Sequence, residues 1–316
     1  MINRILILGV TASGKGKLAF ALAKSINAEI ISIDSMKVYR RMDTGTAKPP
    51  KEIRDQIPYH LIDVVEPSDS FSVGRFLELA NAAIKDIQAK NKPVVAVGGT
   101  ALYIKSLLHG LFEGPGADER IREQLKTQAQ AEGLDKLYAL LQKIDPQTAA
   151  KISANDPRRI IRALEVYKIT GKPISSFQQE WNSEGSKDWL IIGLRREKTE
   201  ESKRINARVK KMIDAGLVDE VKNLLVEPKP LSKQAASAIG YAEIINHLSG
   251  QTTIEEATEL IKKNTRKFAK AQRTWFKTFK NVHWLDLAPE ETVDSVLNRA
   301  HEILKQNGFR NGKTQN

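Results

Sequence analysis

Short runs of consecutive apolar residues, rather than alternating ones, mark the first half of the chain. Residues 5–8 (Ile-Leu-Ile-Leu) end at Gly9, Glu29–Ile33 ends at Asp34, and residues 93–97 (Pro-Val-Val-Ala-Val) are closed by Gly98-Gly99. A run that is apolar on both faces of the pleat predicts a strand covered from both sides, as in a parallel sheet. Residues 17–25, between the first two runs, carry helical spacing. Strands alternating with helices predict an α/β fold: a mostly parallel sheet flanked by helices on both faces.

The pattern changes after Leu111. Residues 113–116 (Glu-Gly-Pro-Gly) form a turn cluster, and from 117 to about 171 the periodicity is helical without strand signals. Asp156-Pro157 places an N-cap before a first-turn proline, and Gly171-Lys172-Pro173 supplies a stop. Residues 189–194 (Trp-Leu-Ile-Ile-Gly-Leu) resume strand character. The expected organisation is a core over 1–113 and 190–316, finishing in long helices, interrupted by an all-helical insertion domain over 114–189. The polar end, 305–316, is expected to fray.

Composition narrows the class. The chain has 316 residues, 41% hydrophobic and 28% charged, in the range of an ordinary globular protein. There are no cysteines, which excludes disulfides, CxxC redox sites and cysteine nucleophiles and suits a reducing cytoplasm. The first residues faintly resemble a signal peptide, but their apolar run is too short, and no stretch is long enough to span a membrane. The expectation is a cytoplasmic protein without membrane contact, monomeric by default. Lys plus Arg number 50 against 38 for Asp plus Glu, giving +12. Such an excess predisposes toward polyanions, although a solvated surface accounts for it as well.

The run Gly9-Val10-Thr11-Ala12-Ser13-Gly14-Lys15 follows a predicted strand and opens a predicted helix. In that context a GxxxxGK sequence is a phosphate cradle: backbone N–H groups and a helix N-terminus face the anion, and Lys15 adds a charge. The next position ordinarily holds Ser or Thr, whose hydroxyl ligates magnesium; here it is Gly16. Mg2+ is then either held through other oxygens and water or bound weakly, with Thr11, Ser13 and Asp34 the nearby candidates. Asp34 and Thr100 end strands at the edge where ligands of parallel sheets bind. Asp34 can bind metal, act as a base or cap a loop; Thr100 can donate to a phosphate or cap its own helix.

Residues 262–280 contain eight basic residues and no acidic one. On one helix, Arg266, Lys270, Arg273, Lys277 and Lys280 fall within about a quarter of the circumference, which points to nucleic-acid phosphates. Phe268, Trp275 and Phe279 fall opposite and are expected in the core. In the insertion, Arg158 and Arg162 share a face, with Ile160, Ile161, Leu164 and Tyr167 on the other. The five histidines show no metal spacing.

Taken together these segments resemble the bacterial tRNA dimethylallyltransferase family. The likeness rests on the P-loop, Asp34-Ser35-Met36-Lys37-Val38-Tyr39-Arg40, Met42-Asp43-Thr44-Gly45-Thr46-Ala47-Lys48-Pro49, Gly98-Gly99-Thr100, Asn155-Asp156-Pro157-Arg158-Arg159, Arg204-Ile205-Asn206-Ala207-Arg208, Ile239-Gly240-Tyr241 and Gln272-Arg273-Thr274-Trp275-Phe276. It implies a P-loop NTPase-like core in which residues Gly9, Val10, Thr11, Ala12, Ser13, Gly14, Lys15 and Gly16 hold the diphosphate of dimethylallyl diphosphate and do not hydrolyse ATP. It also implies that a tRNA adenosine, the one 3′ of the anticodon, is flipped into the core and prenylated on N6. Asp34 corresponds to the general base. Lys15, Thr100 and Arg208 correspond to leaving-group stabilisers, with Mg2+ as cofactor. Asp34, Ser35, Met36, Lys37, Thr100, Arg122, Arg158, Arg159, Ile160, Ile161 and Arg162 correspond to tRNA-contacting positions. The chain departs from the family pattern at Gly16, at Lys37 where Gln is common, at Ala101 where Gly is common, and at Ala271 where a basic residue is usual.

Three other readings share parts of this pattern. Prenyl transfer to free adenine nucleotides needs neither the insertion nor the basic helix. A P-loop kinase is disfavoured by Gly16 and by the Asp34 segment. A non-catalytic RNA-binding protein is made conceivable by Gly16.

Overall fold

The structure, a computed structural model, describes residues 3–110, 114–177 and 188–309. The chain divides into two compact units, Met1–Leu108 with Gly185–Asn316, and His109–Glu184.

The first unit is built on strands β1 (Arg4–Gly9), β2 (Glu29–Ile33), β3 (Tyr59–His60), β4 (Val94–Gly98), β5 (Trp189–Arg195) and β6 (Val282–Asp286). They form one sheet in the order β3-β2-β4-β1-β5-β6, and every pairing is parallel. β1 lies in the middle, with Ile5 beside Val95 on one side and Leu190 on the other. The chain leaves β1 toward β2 on one flank and later adds β5 on the opposite flank, so the end of β1 is a switch point where a crevice opens.

The all-apolar strands are explained by cover on both faces. Ile5, Ile7, Val95 and Ile192 pack with Leu18 and Leu22 of the helix Lys15–Ser25 and with Val296 and Leu304 of the helix Val293–Gln306. The alternate residues, Leu6, Leu8, Ile31 and Ala96, pack with Phe76 and Ala80 of Val73–Ala89 and with Ile104 of Ala101–His109. Val209 of Lys198–Asp214 and Ala269 of Ile254–Phe276 extend that second core. Two strands were not foreseen. β3 has only two residues, and β6 sits at the sheet edge with its first three residues partly exposed, so neither produces a continuous apolar run.

The second unit contains the helices Glu119–Glu132, Leu134–Ile144, Pro146–Ala149, Pro157–Thr170 and Ile174–Phe177 around its own core of Leu125, Leu137, Leu141, Ile160 and Leu164. Asp156 caps Pro157–Thr170 by accepting the Arg159 N–H, and Gly171 ends it at φ 70°. Buried Asp145 accepts from Thr148 and Ser175; burial works against its charge, yet these hydrogen bonds hold its carboxyl below the usual range. Among the described residues no helix is long and apolar enough to cross a membrane.

Candidate active site

The P-loop leaves β1 through backbone that side chains rarely favour, with φ of 61° at Ala12 and 101° at Gly14. Its carbonyls are held from outside: Arg204 Nε donates to Ala12 at 3.0 Å and Arg196 Nε to Ser13 at 3.2 Å. No side chain caps the helix that starts at Lys15, and its first turn has no acidic residue. The first amides of that helix are therefore available to an anion, with the positive end of the helix dipole behind them. Lys15 folds over the loop, its Nζ 3.3 Å from the Val10 carbonyl.

A cavity of about 290 Å3 opens at the carboxyl ends of β1, β2 and β4, where Thr11, Lys15, Asp34, Ser35, Met36, Lys37, Thr100 and Arg208 converge. Asp34 Oδ1 accepts the N–H groups of Met36 (2.9 Å) and Lys37 (3.2 Å), which fixes the carboxylate and leaves its second oxygen to the cavity. Thr100 Oγ1 accepts the Ser35 N–H at 3.1 Å, while its own carbonyl starts the following helix by accepting from Ile104. The side chain thus ties the Asp34 segment to β4 instead of capping, and its hydroxyl proton remains to be donated. Arg208 reaches in from the helix Lys198–Asp214 and donates to the Thr46 carbonyl at 3.4 Å.

Three cations share this cavity with one carboxylate. Burial, and then the charges of Lys37 and Arg208, push the Lys15 ammonium down to about 7, against the opposing pull of Asp34. Burial lowers Lys37 as well, again opposed by Asp34. Burial also lowers Arg208, opposed by Asp34, yet a guanidinium keeps its charge.

The remaining walls come from distant parts of the chain that sequence reasoning placed at no site, Phe268 being expected in the core. Val209, Met212, Ala238, Ile239 and Ile261 make one side apolar, and Tyr241, Phe268 and Gln272 complete it. Gln272 is buried; its Nε2 donates to the Gly99 carbonyl at 2.8 Å, and a side chain at Gly99 would collide with that amide. Glu220 accepts the N–H groups of Asp43, Thr44 and Gly45 and the Tyr241 hydroxyl, the last at 2.6 Å. Buried Lys48 donates to Asp43, to Asp63 at 2.6 Å and to the Tyr39 carbonyl at 2.8 Å. These two groups shape the turn that presents Gly45 and Thr46. Only the sequence segments, not the contacts, were visible beforehand.

The donor set is a poor fit for a protein-held magnesium ion. Gly16 offers no oxygen, and Ser13 is buried against Gly9 and lines a different cavity. That leaves Thr11 and Asp34, in a cavity with a surplus of cations, and the described residues contain no cluster of three or more metal-ligating side chains.

The other candidates lie elsewhere. Arg122, Arg158, Arg159, Ile160, Ile161 and Arg162 belong to the insertion unit. Arg158 and Arg159 are exposed, Arg159 pairing with Asp156. Arg122 and Arg162 flank buried Glu165 at 3.0 and 2.7 Å, and Ile160 is wholly buried, so that side chain serves packing. Tyr167, expected on the inward face, is exposed. The basic stripe also needs correction. The helix ends at Phe276, so Lys277 only caps it and Lys280 lies beyond. Arg266 donates to Asn206 and Arg273 pairs with buried Glu201, whereas Lys263, Lys267 and Lys270 are exposed. Phe279 is buried as expected, but Phe268 is 42% exposed and faces the cavity. A helical projection gives the side of the helix, not what covers it.

Similarity to known proteins runs along nearly the whole chain. Residues 37–279 match the family model described as IPP transferase, and residues 2–65 match that described as isopentenyl transferase. The chain is 46% identical to tRNA dimethylallyltransferase 2 of Geotalea uraniireducens, over 96% of this chain and 97% of that one. It is 44% identical to the tRNA dimethylallyltransferase of Geobacter metallireducens, covering 93% and 94%. Among solved structures it resembles the tRNA delta(2)-isopentenylpyrophosphate transferase of Staphylococcus epidermidis, with a TM-score of 0.71, 36% identity and coverage of 98% and 100%. A eukaryotic dimethylallyltransferase acting on tRNA superposes with a TM-score of 0.82 at 26% identity, covering 99% of this chain and 81% of that one. The chain belongs to the IPP transferase family.

Proposed function

We propose that this protein transfers the dimethylallyl group of dimethylallyl diphosphate to N6 of the adenosine 3′ of the anticodon in tRNA, in the cytoplasm. The observation that carries the reading is one cavity bordered by Thr11 and Lys15 of the phosphate cradle, by a fixed carboxylate and by an apolar wall. The diphosphate lies on the P-loop amides with Lys15 and Arg208, and the dimethylallyl chain lies against Val209, Met212 and Ile239. The exocyclic N6 is a weak nucleophile because its lone pair is delocalised into the ring. Asp34 accepts one N6 proton as the nitrogen bonds to allylic C1. The C1–O bond breaks, and its electron pair leaves with the diphosphate. Lys15, Arg208 and the Thr100 hydroxyl meet the charge growing on that oxygen.

An adenosine must leave its stack to reach such a cavity, and Phe268 offers an aromatic face at the wall. Exposed Lys263, Lys267 and Lys270 supply charge for the RNA backbone, as do Arg158 and Arg159 in the insertion. The test is incubation with unmodified tRNA, AMP and labelled dimethylallyl diphosphate. Label on tRNA is expected; label on AMP alone would favour a nucleotide acceptor, and intact tRNA binding without label would sink the enzyme reading.

A further inference from the structure

Two departures from the family pattern bear on how the charge of a bound diphosphate is balanced. Gly16, just after the P-loop lysine, cannot supply the hydroxyl that ordinarily ligates magnesium. Lys37, three residues after Asp34, brings an ammonium into the cavity that Lys15 and Arg208 already line. Lys37 and Arg208 line the same cavity as Lys15, and the charges of both act on its ammonium.

A divalent ion beside a diphosphate does two things. It offsets the charge of the bound anion, and it stabilises the leaving group as the C–O bond breaks. A fixed ammonium does both through N–H donors and needs no oxygen ligands from the protein. With a diphosphate bound, which favours the protonated forms of Lys15 and Lys37, these two ammonium groups and Arg208 exceed the one carboxylate of Asp34 by two positive charges. That surplus attracts a diphosphate and repels a free dication.

We propose that Lys37 stands in for the divalent metal ion at the diphosphate, so that this chain binds its allylic diphosphate without requiring magnesium. The inference rests on the reading that this cavity holds a diphosphate. As C1 transfers to the acceptor nitrogen, the electron pair of the broken C1–O bond stays on the diphosphate oxygen, and the Lys37 ammonium donates to that anion. Lys37 was matched above to the tRNA-contacting segment; the cavity assigns its charge to the diphosphate instead.

The test is calorimetric titration of the full-length protein with inorganic pyrophosphate, in EDTA and in magnesium, comparing wild type, Lys37→Gln and Lys37→Arg. Thermal melting of each variant checks its fold. Wild type should bind in EDTA within about threefold of its affinity in magnesium, Lys37→Gln should lose at least about tenfold in EDTA and regain most of it with magnesium, and Lys37→Arg should stay near wild type. A wild-type loss of about tenfold or more in EDTA would overturn the proposal, as would Lys37→Gln binding within about twofold of wild type in EDTA. Lowered tRNA affinity in Lys37→Gln with unchanged pyrophosphate binding would return Lys37 to the RNA. Absence of pyrophosphate binding by wild type in both media would refute the diphosphate reading itself, and this proposal with it.

Discussion

The side-chain oxygen of Gln272 accepts the backbone N–H of Thr11 at 2.8 Å, joining the long helix Ile254–Phe276 to the phosphate cradle across the whole length of the sequence. The same amide donates to Gly99, so one buried residue fixes the ends of β1 and β4 relative to each other. Gln272→Leu fills similar space but leaves that carbonyl and that N–H without partners. The expected loss of unfolding free energy is about 2–4 kcal/mol, from one buried and one part-buried unsatisfied group. Denaturant unfolding measures it, and an unchanged midpoint would show that water replaces both bonds.

Gly16 lies in ordinary helical backbone, and a Cβ there would meet nothing within 4 Å. Gly16→Thr should therefore raise stability slightly, by about 0.5 kcal/mol, through helix propensity and a less flexible unfolded chain. It also introduces the missing hydroxyl. Magnesium should then strengthen pyrophosphate binding more in the variant than in wild type. An identical magnesium response in both would show that a hydroxyl at this position is not a ligand.

The depressed ammonium of Lys15 gives a pH dependence whose sign can be worked out. In the free protein Lys15 loses its proton near 7, and a bound anion restores the proton toward the ordinary value. Below about 7 the group is charged whether or not ligand is bound, so it contributes no slope. Above that point the free protein must take up a proton on binding, and affinity falls by up to about tenfold per pH unit. Arginine at the same position keeps its charge. Dividing the wild-type dissociation constant for pyrophosphate by that of Lys15→Arg removes the ligand's own titration. The ratio should be flat below about pH 7 and rise above it; a ratio constant throughout would contradict the depressed ammonium.

How much of this site could be read in advance depended on where each residue sits. Lys15, Asp34 and Thr100 follow β1, β2 and β4, and parallel strands bring such positions to one edge, so the runs before them made the edge legible. Arg208, Tyr241, Phe268 and Gln272 arrive on helices far along the chain, and periodicity gives no register between a helix and a strand end. Glu220 accepts backbone N–H groups and buried Lys48 pairs with carboxylates, contacts that leave no spacing signature. The basic stripe was half right for a related reason. Charge is visible in sequence, but the partners Glu201 and Asn206, which take up Arg273 and Arg266, are not.

The central claim is that Asp34 removes the proton of the acceptor nitrogen, and it is tested most directly by single-turnover transfer of labelled dimethylallyl to tRNA with wild type and Asp34→Asn. Asparagine preserves the shape and can still accept from Met36 and Lys37, so the turn should survive. Transfer should slow by at least about a hundredfold, the scale of a lost general base, while tRNA affinity on the same preparations stays within about threefold. Equal losses in rate and affinity, or a rate unchanged from wild type, would contradict that role.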